Sequence, residues 1–207
     1  MADSDIWGML EGKDLMIFDF DGTLADTSAF HASAFADVLA PFGVAAEYET
    51  ISGRKTRDAL VERLGSSGIV LAEGELDALA SAKQQRVRKL IQDGLRPLPG
   101  VESFLRWAST RARLAIYSSG SRGTVEISLA RLGYLGRFDP MLCAEDVVRA
   151  KPDPEGFLKV LGLTGVSSVR AVVFEDSDSG IGAARRAGIA VVDVRLISFE
   201  RLLKAFE

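Results

Sequence analysis

The chain of 207 residues has a single cysteine, Cys143, so it forms no internal disulfide and suits a reducing cytosol. That cysteine sits in the apolar stretch Met141-Leu142-Cys143-Ala144, which predicts a packed core thiol rather than a nucleophile. Basic charge in excess is missing too. With 25 Lys and Arg against 29 Asp and Glu, the net charge is −4, which argues against a nucleic-acid surface with its basic stripe. No apolar run approaches the roughly 20 residues of a membrane span. The start, Met1-Ala2-Asp3-Ser4-Asp5, lacks the basic and apolar segments of a signal peptide. Internal repeats and low-complexity tracts are absent. The expectation is a soluble, cytoplasmic globular protein, for which 47% apolar and 26% charged residues are ordinary. The length allows one large domain, or one domain with a smaller insertion.

What is present begins with Leu15-Met16-Ile17-Phe18, followed directly by Asp19-Phe20-Asp21-Gly22-Thr23-Leu24. The apolar run predicts a buried strand, and two carboxylates stand one residue apart at its end. Successive strand side chains point to opposite faces, so a regular strand would not aim both at one spot. Gly22 lets the backbone leave by a sharp turn, beyond which both acids reach a common site. Two carboxylates held close repel unless something positive joins them, which points to a divalent cation with oxygen ligands. Three later stretches continue the pattern. Leu114-Ala115-Ile116-Tyr117 runs into Ser118-Ser119-Gly120-Ser121, and Lys151-Pro152-Asp153-Pro154 stands where a helix begins. Ala171-Val172-Val173-Phe174 runs into Glu175-Asp176-Ser177. Acid pair, hydroxyl, lysine, acid pair: three of the four stand at strand ends, where open parallel sheets bind ligands.

The pattern changes character along the chain. From Thr27 to about Gly94 the spacing is helical, with Phe30, Ala34, Phe35, Val38 and Leu39 on one stripe. Pro41 and Gly43 end that helix, and Arg57–Leu64 and Glu75–Ile91 read as two more. Pro97 and Pro99-Gly100 mark the return. Helices at Val101–Arg111, Gly123–Leu132, Glu155–Leu161 and Gly180–Ala187 then alternate with strands at Leu114, Ala171 and Ile189–Val194. Such alternation implies an α/β protein, a parallel sheet flanked by helices. The predicted organisation is a core of residues 1–26 and 95–207, with a helical insertion at 27–94.

On these motifs, their order and their spacing, the chain resembles the haloacid dehalogenase superfamily of phosphohydrolases. Within it, the likeness is to the group with a small helical cap that contains phosphoglycolate phosphatase and β-phosphoglucomutase. The resemblance implies a Rossmann-like core with helices on both faces and an inserted all-helical cap. It also implies Mg²⁺ and a small phosphorylated metabolite, a sugar phosphate or a phosphoglycolate-like molecule. Asp19 matches the nucleophile that forms an aspartyl-phosphate, and Asp21 the general acid and base. Asp176 matches the direct Mg²⁺ ligand, with Asp19 and the backbone carbonyl of Asp21, and Glu175 a direct or water-mediated one. Ser118 matches the donor to the phosphoryl group, joined by the amides of Ser119 and Gly120. Lys151 matches the cation that steadies the nucleophile. His31, five residues after Asp26, matches an Asp-Thr-x-x-x-His arrangement of β-phosphoglucomutase and several sugar phosphatases; it faces substrate there, or lies exposed on its helix. Arg54-Lys55-Thr56-Arg57, after Gly53, corresponds in position to the cap's specificity loop. Arg54 and Arg57 there suit an anionic leaving group unless they form a solvated charge run. Arg122 is placed to reach the same group.

Two activities compete under this resemblance, a Mg²⁺-dependent phosphatase and a phosphomutase. Thr23 favours the phosphatase, since the mutase carries valine there, and Ser121 and Arg122 depart from the mutase's Lys-Asn. His31 pulls the other way. A dehalogenase would lack the acid at position 21, and a phosphonatase would need a cap lysine, for which only Lys55 offers itself. A binding protein that had lost catalysis would have lost one of the aspartates or the lysine.

Overall fold

The structure, a computed structural model, describes residues 8–51 and 54–204; the stretch Met1–Asp5 and Gly53 lie outside them. The chain divides into two compact units, Met1–Asp26 with Arg96–Glu207, and Thr27–Leu95.

In the first unit the apolar runs form one parallel sheet. Its strands are β1 (Leu15–Phe18), β2 (Arg113–Tyr117), β3 (Met141–Leu142), β4 (Ala171–Glu175) and β5 (Ala190–Asp193), in the order β3-β2-β1-β4-β5. Every residue of β1 and β4 is buried. Strands buried on both faces read as unbroken apolar runs, which is why these two are plain in the sequence. Winding proceeds outward from β1 in both directions, so the crevice of the sheet opens at the carboxyl ends of β1 and β4.

Helices cover both faces. The first carries Leu15, Ile17, Ala115, Tyr117 and Val173 against Phe157 and Val160 of α7 (Glu155–Thr164) and Ala183 and Ala184 of α8 (Asp178–Arg186). The alternate strand residues point the other way. Phe18 and Phe174 stack there with ring centroids 4.6 Å apart. Phe104 of α5 (Val101–Ala108) meets Phe174 edge-on at 5.1 Å and lies 5.0 Å from Phe199, which opens α9 (Phe199–Lys204). Helix α6 (Arg122–Leu132) links β2 to β3.

Several boundaries differ from the sequence reading; α5, for one, ends at Ala108 rather than Arg111. Met141–Leu142 is an edge strand paired with Ile116 and Tyr117, too short for any period to register. Helix α7 continues to Thr164 instead of stopping at Leu161, because Gly162 is tolerated. It ends where Gly165, at φ 70°, donates its N–H to Leu161 O at 2.9 Å.

The second unit is helical: α1 (Ser28–Leu39), α2 (Tyr48–Ile51), α3 (Thr56–Gly65) and α4 (Glu73–Gly94). Ala34, Phe35, Val38 and Leu39 of the predicted stripe are buried, together with Ile51, Leu60, Leu64 and Leu76. Helix α1 gives way to a 3-10 turn over Ala40–Phe42 that Gly43 closes at φ 67°. At the start of α4, Glu75 reaches back to accept the Ala72 N–H at 2.9 Å, satisfying a donor the helix itself leaves open. No described helix is long and apolar enough to cross a membrane.

Because the Phe104 ring joins α5 to β4 and α9, Phe104→Ala is expected to lower the unfolding free energy by about 3–5 kcal/mol. Urea denaturation measures this; a loss below about 1 kcal/mol would show that the ring does not hold these elements together.

Candidate active site

Pairing of β1 with β4 continues one residue past the strand. The Asp19 N–H donates to Phe174 O at 3.0 Å, which sets Asp19 beside Glu175. The chain then turns at Gly22, whose φ is 83° and where a Cβ would stand 2.0 Å from Asp176 Oδ2. Only glycine meets both demands, the left-handed backbone and the close approach. Next in line, buried Thr23 holds its hydroxyl 3.4 Å from Asp176 Oδ1. Asp21 leans towards the β2 turn: its Oδ2 lies 3.5 Å from where a Cβ on Gly120 would stand.

Lys151 joins the acids. Its Nζ donates to Asp19 Oδ1 at 2.6 Å and to Glu175 Oε2 at 2.8 Å, and its side chain is 3% exposed. The turn that carries it is held by Arg186, which donates to Pro152 O at 2.8 Å. Burial works against the Lys151 ammonium, but the charges of Asp19 and Glu175 and their hydrogen bonds outweigh it and hold the group above its ordinary value. The other oxygen of Glu175, Oε1, accepts from Ser177 Oγ at 2.8 Å and from the N–H groups of Ser177 and Asp176 at 3.1 and 3.2 Å. Ser177 Oγ in turn accepts the Gly180 N–H at 3.0 Å, capping α8. Both Glu175 oxygens are therefore engaged. Gly180 gives the carboxylate its room, since a Cβ there would stand 2.0 Å from Oε2.

Asp19, Glu175 and Asp176 each offer a carboxylate oxygen, and these oxygens lie within 4.8 Å of one another. Burial, then the Glu175 charge, lifts Asp176 to about 6. Burial pushes Asp19 well up, opposed by the Lys151 charge and reinforced by Glu175 and Asp21. Hard oxygen donors crowded around one ammonium suit a divalent cation. With Glu175 occupied by its hydrogen bonds, Asp19 and Asp176 fit that ion as direct ligands.

Ser118 is buried at the end of β2, its N–H donating to Leu142 O at 3.0 Å. Edge strand β3 thus fixes the hydroxyl that the sequence singled out. Ser118 Oγ accepts the Gly120 N–H at 3.0 Å, so that amide orients the serine, and Ser119 stands exposed at the same turn. Arg122 faces elsewhere. Its guanidinium donates to Asp146 at 2.5 Å and to Met141 O at 3.2 Å, tying the start of α6 to the 141–146 segment. Cys143 in that segment is buried, as its apolar neighbours predict.

The helical unit holds the other candidates. Arg54 pairs with Glu62, and Arg57 with Asp77 at 3.0 Å and Glu73 at 3.6 Å; both arginines are exposed. His31 on α1 has Lys83 Nζ 2.8 Å from its Nδ1. Burial, then the Lys83 charge, lowers the imidazole to about 3, so His31 is neutral at pH 7 and accepts from the ammonium. Lys83 itself is 1% exposed and lies over the Phe35 ring, 4.4 Å from its centroid. The sequence reading gave Lys83 no role. Its signal was a lysine on the buried stripe Leu76, Lys83, Val87 and Ile91, where an ionised side chain needs a partner.

Sequence comparison places these features in a family. The family described as haloacid dehalogenase-like hydrolase matches residues 16–194. The chain is 36% identical over 184 residues to fructose-1-phosphate phosphatase YqaB of Escherichia coli, covering 88% of this chain and 96% of that protein. It is 30% identical over 220 residues to a beta-phosphoglucomutase of Mycobacterium tuberculosis, covering 91% and 83%. Among solved structures, CbbY from Rhodobacter sphaeroides in complex with phosphate aligns with a TM-score of 0.76 at 26% identity, covering 86% and 84%. The chain belongs to the haloacid dehalogenase-like hydrolases.

Two glycines of α8 separate space from propensity. Gly180→Ala drives a methyl into Glu175 and is expected to cost about 1–3 kcal/mol. At Gly182 a Cβ would stand 3.2 Å from Nη1 of Arg186, the atom that donates to Pro152 O, and 4.0 Å from Pro152 Cβ. Gly182→Ala therefore crowds a movable guanidinium rather than a fixed acid and should lie within about 1 kcal/mol of neutral. Thermal unfolding of the two variants decides; equal effects would remove the special role of position 180. Burial also pushes the Cys143 thiol up to about 12. The unfolded thiol, near 8.5, then releases its proton first, so this group's stabilisation is present below about 8.5 and lost as pH rises towards 12. A thiol-specific reagent at pH 8 should react with Cys143 only after denaturant is added. Rapid labelling of the folded protein would contradict the buried placement.

Proposed function

We propose that the protein is a phosphatase that hydrolyses a small phosphorylated metabolite through an aspartyl-phosphate on Asp19. The observation that carries this reading is Lys151 bridging Asp19 and Glu175, with Asp176 alongside, at the carboxyl ends of β1 and β4. Asp19 attacks phosphorus, forming a P–O bond as the bond to the ester oxygen breaks. Lys151 holds the attacking carboxylate in place and offsets the charge gathering beside it. Asp21 protonates the departing oxygen, then takes a proton from the water that attacks the acyl phosphate, which returns Asp19 and frees phosphate. Ser118, its oxygen steadied by the Gly120 amide, donates its own proton to a phosphoryl oxygen. Asp19 and Asp176, with the Asp21 carbonyl, would hold Mg²⁺, which when bound neutralises phosphoryl charge facing the nucleophile. Glu175 acts through its hydrogen bonds, as the fixed partner of Lys151.

Likeness to a fructose-1-phosphate phosphatase over 96% of that protein supports a sugar phosphate as substrate. Such metabolites are kept inside cells, in accord with a cytoplasmic enzyme. The second reading, a phosphomutase, draws on the likeness to beta-phosphoglucomutase. Thr23, whose hydroxyl stands by Asp176, favours hydrolysis.

A panel of phosphorylated sugars and phosphoglycolate, assayed for phosphate release, separates the two. Hydrolysis frees phosphate; mutase activity yields an isomer and none. Asp19→Asn is expected to lower turnover about 10⁴-fold or more with the fold retained. Near-normal turnover in that variant would refute the nucleophile. Chelator should abolish activity and Mg²⁺ restore it, with Ca²⁺ a poor substitute because its coordination is looser. Full activity in excess chelator would refute the metal reading.

A further inference from the structure

Tyr117 ends β2 directly before Ser118, and its ring is 1% exposed on the sheet face covered by α7 and α8. The Lys151 ammonium lies over this ring, 4.9 Å from its centroid, and 5.7 Å from the centroid of Phe157. The two rings meet edge to face at 5.0 Å and 89°. Against the ring tip stands Gly156, where a Cβ would be 2.1 Å from Cζ of Tyr117 and 2.3 and 2.4 Å from the adjoining ring carbons. Gly156 sits in the first turn of α7 and is not among the positive-φ glycines, so its backbone would accept any residue. Space for the ring is what requires glycine there. Tyr117 and Gly156 form a matched pair, one side chain filling the volume that the other position leaves empty.

We propose that Tyr117 is a positioning residue for Lys151: its ring, admitted by Gly156 and braced by Phe157, forms an aromatic floor that fixes the ammonium between Asp19 and Glu175. Two carboxylates supply charge and hydrogen bonds. A ring face supplies a dry surface that attracts a cation without competing for its protons. Lysine reaches its site on a flexible four-carbon stem, so the carboxylates alone leave its approach underdetermined. The inference rests on the phosphatase reading, in which Lys151 serves the nucleophile Asp19.

The test uses p-nitrophenyl phosphate with Mg²⁺ and four variants. Tyr117→Phe keeps the ring and is expected to hold kcat within about twofold. Tyr117→Leu keeps apolar bulk without a π face and is expected to lower kcat about tenfold, with KM moved less than about twofold. Gly156→Ala displaces the ring and should lower kcat similarly in the parent protein. Added to Tyr117→Leu it should cost little more, because no ring remains to be displaced. A second readout is independent of turnover. The ε-proton resonance of Lys151, assigned by its loss in Lys151→Met, should carry a ring-current shift kept in Tyr117→Phe and lost in Tyr117→Leu. Unchanged kcat in a folded Tyr117→Leu protein, multiplicative losses in the double variant, or a lysine shift indifferent to the ring would each overturn the proposal. A parent protein that releases no phosphate would instead sink the phosphatase reading, while the lysine shift still decides whether the ring holds the ammonium.

Discussion

The buried ammonium of Lys151 is the constraint on which the core depends. A charge removed from water is tolerable only with partners close by, and losing one partner of such a pair costs about 3–5 kcal/mol. Here the partners are the last residue of β4 and the residue after β1. Adjacent parallel strands put them side by side, and the lysine enters from the turn before α7. The sheet makes the acids neighbours, and the lysine makes their nearness bearable.

Around that pair, the acids are kept in place mainly by what surrounds them. Glu175 is gripped by the capping turn of α8, so the helix that covers the sheet also orients the acid below it. Gly22 and Gly180 leave the gaps into which Asp176 and Glu175 fit. A catalytic group is only as well placed as the shell that supports it. Much of that shell here consists of amide N–H groups, one hydroxyl and missing side chains.

The core was legible wherever chemistry and chain pattern coincide. Asp19, Asp21, Ser118, Lys151, Glu175 and Asp176 stand beside apolar runs or helix starts, and strands buried on both faces announce themselves as unbroken hydrophobic stretches. Edge strand β3 escaped because two residues carry no period. Tyr117 read as one more apolar position of β2; its contact with Lys151 depends on a helix start 39 positions later in sequence (117 to 156), and no spacing rule links them. Lys83 was hidden for a different reason. Lysine is a good helix former, so it blended into α4, and only its place on the buried stripe set it apart. Arg122 was visible as a charge near Ser118, but Asp146, which holds its guanidinium, lies 24 positions further along the chain.

The parallel sheet has a further consequence for the order of events as the chain is made. Lys151 and Asp19 are separated by 132 positions, and Thr23 and Asp176 by 153. Pairing β1 with β4 closes a long loop, an entropic step with no local contact to assist it. During synthesis, Asp19 and Asp21 leave the ribosome while the lysine and the second acid pair are still unmade. The carboxylate cluster, with its repulsion and its affinity for cations, comes into being only when β4 docks. A nascent chain can pair β1 with β2 and so gather Asp19, Asp21 and Ser118, but Lys151 and the second acid pair join them only when β4 docks, and the complete site is among the last features the molecule acquires.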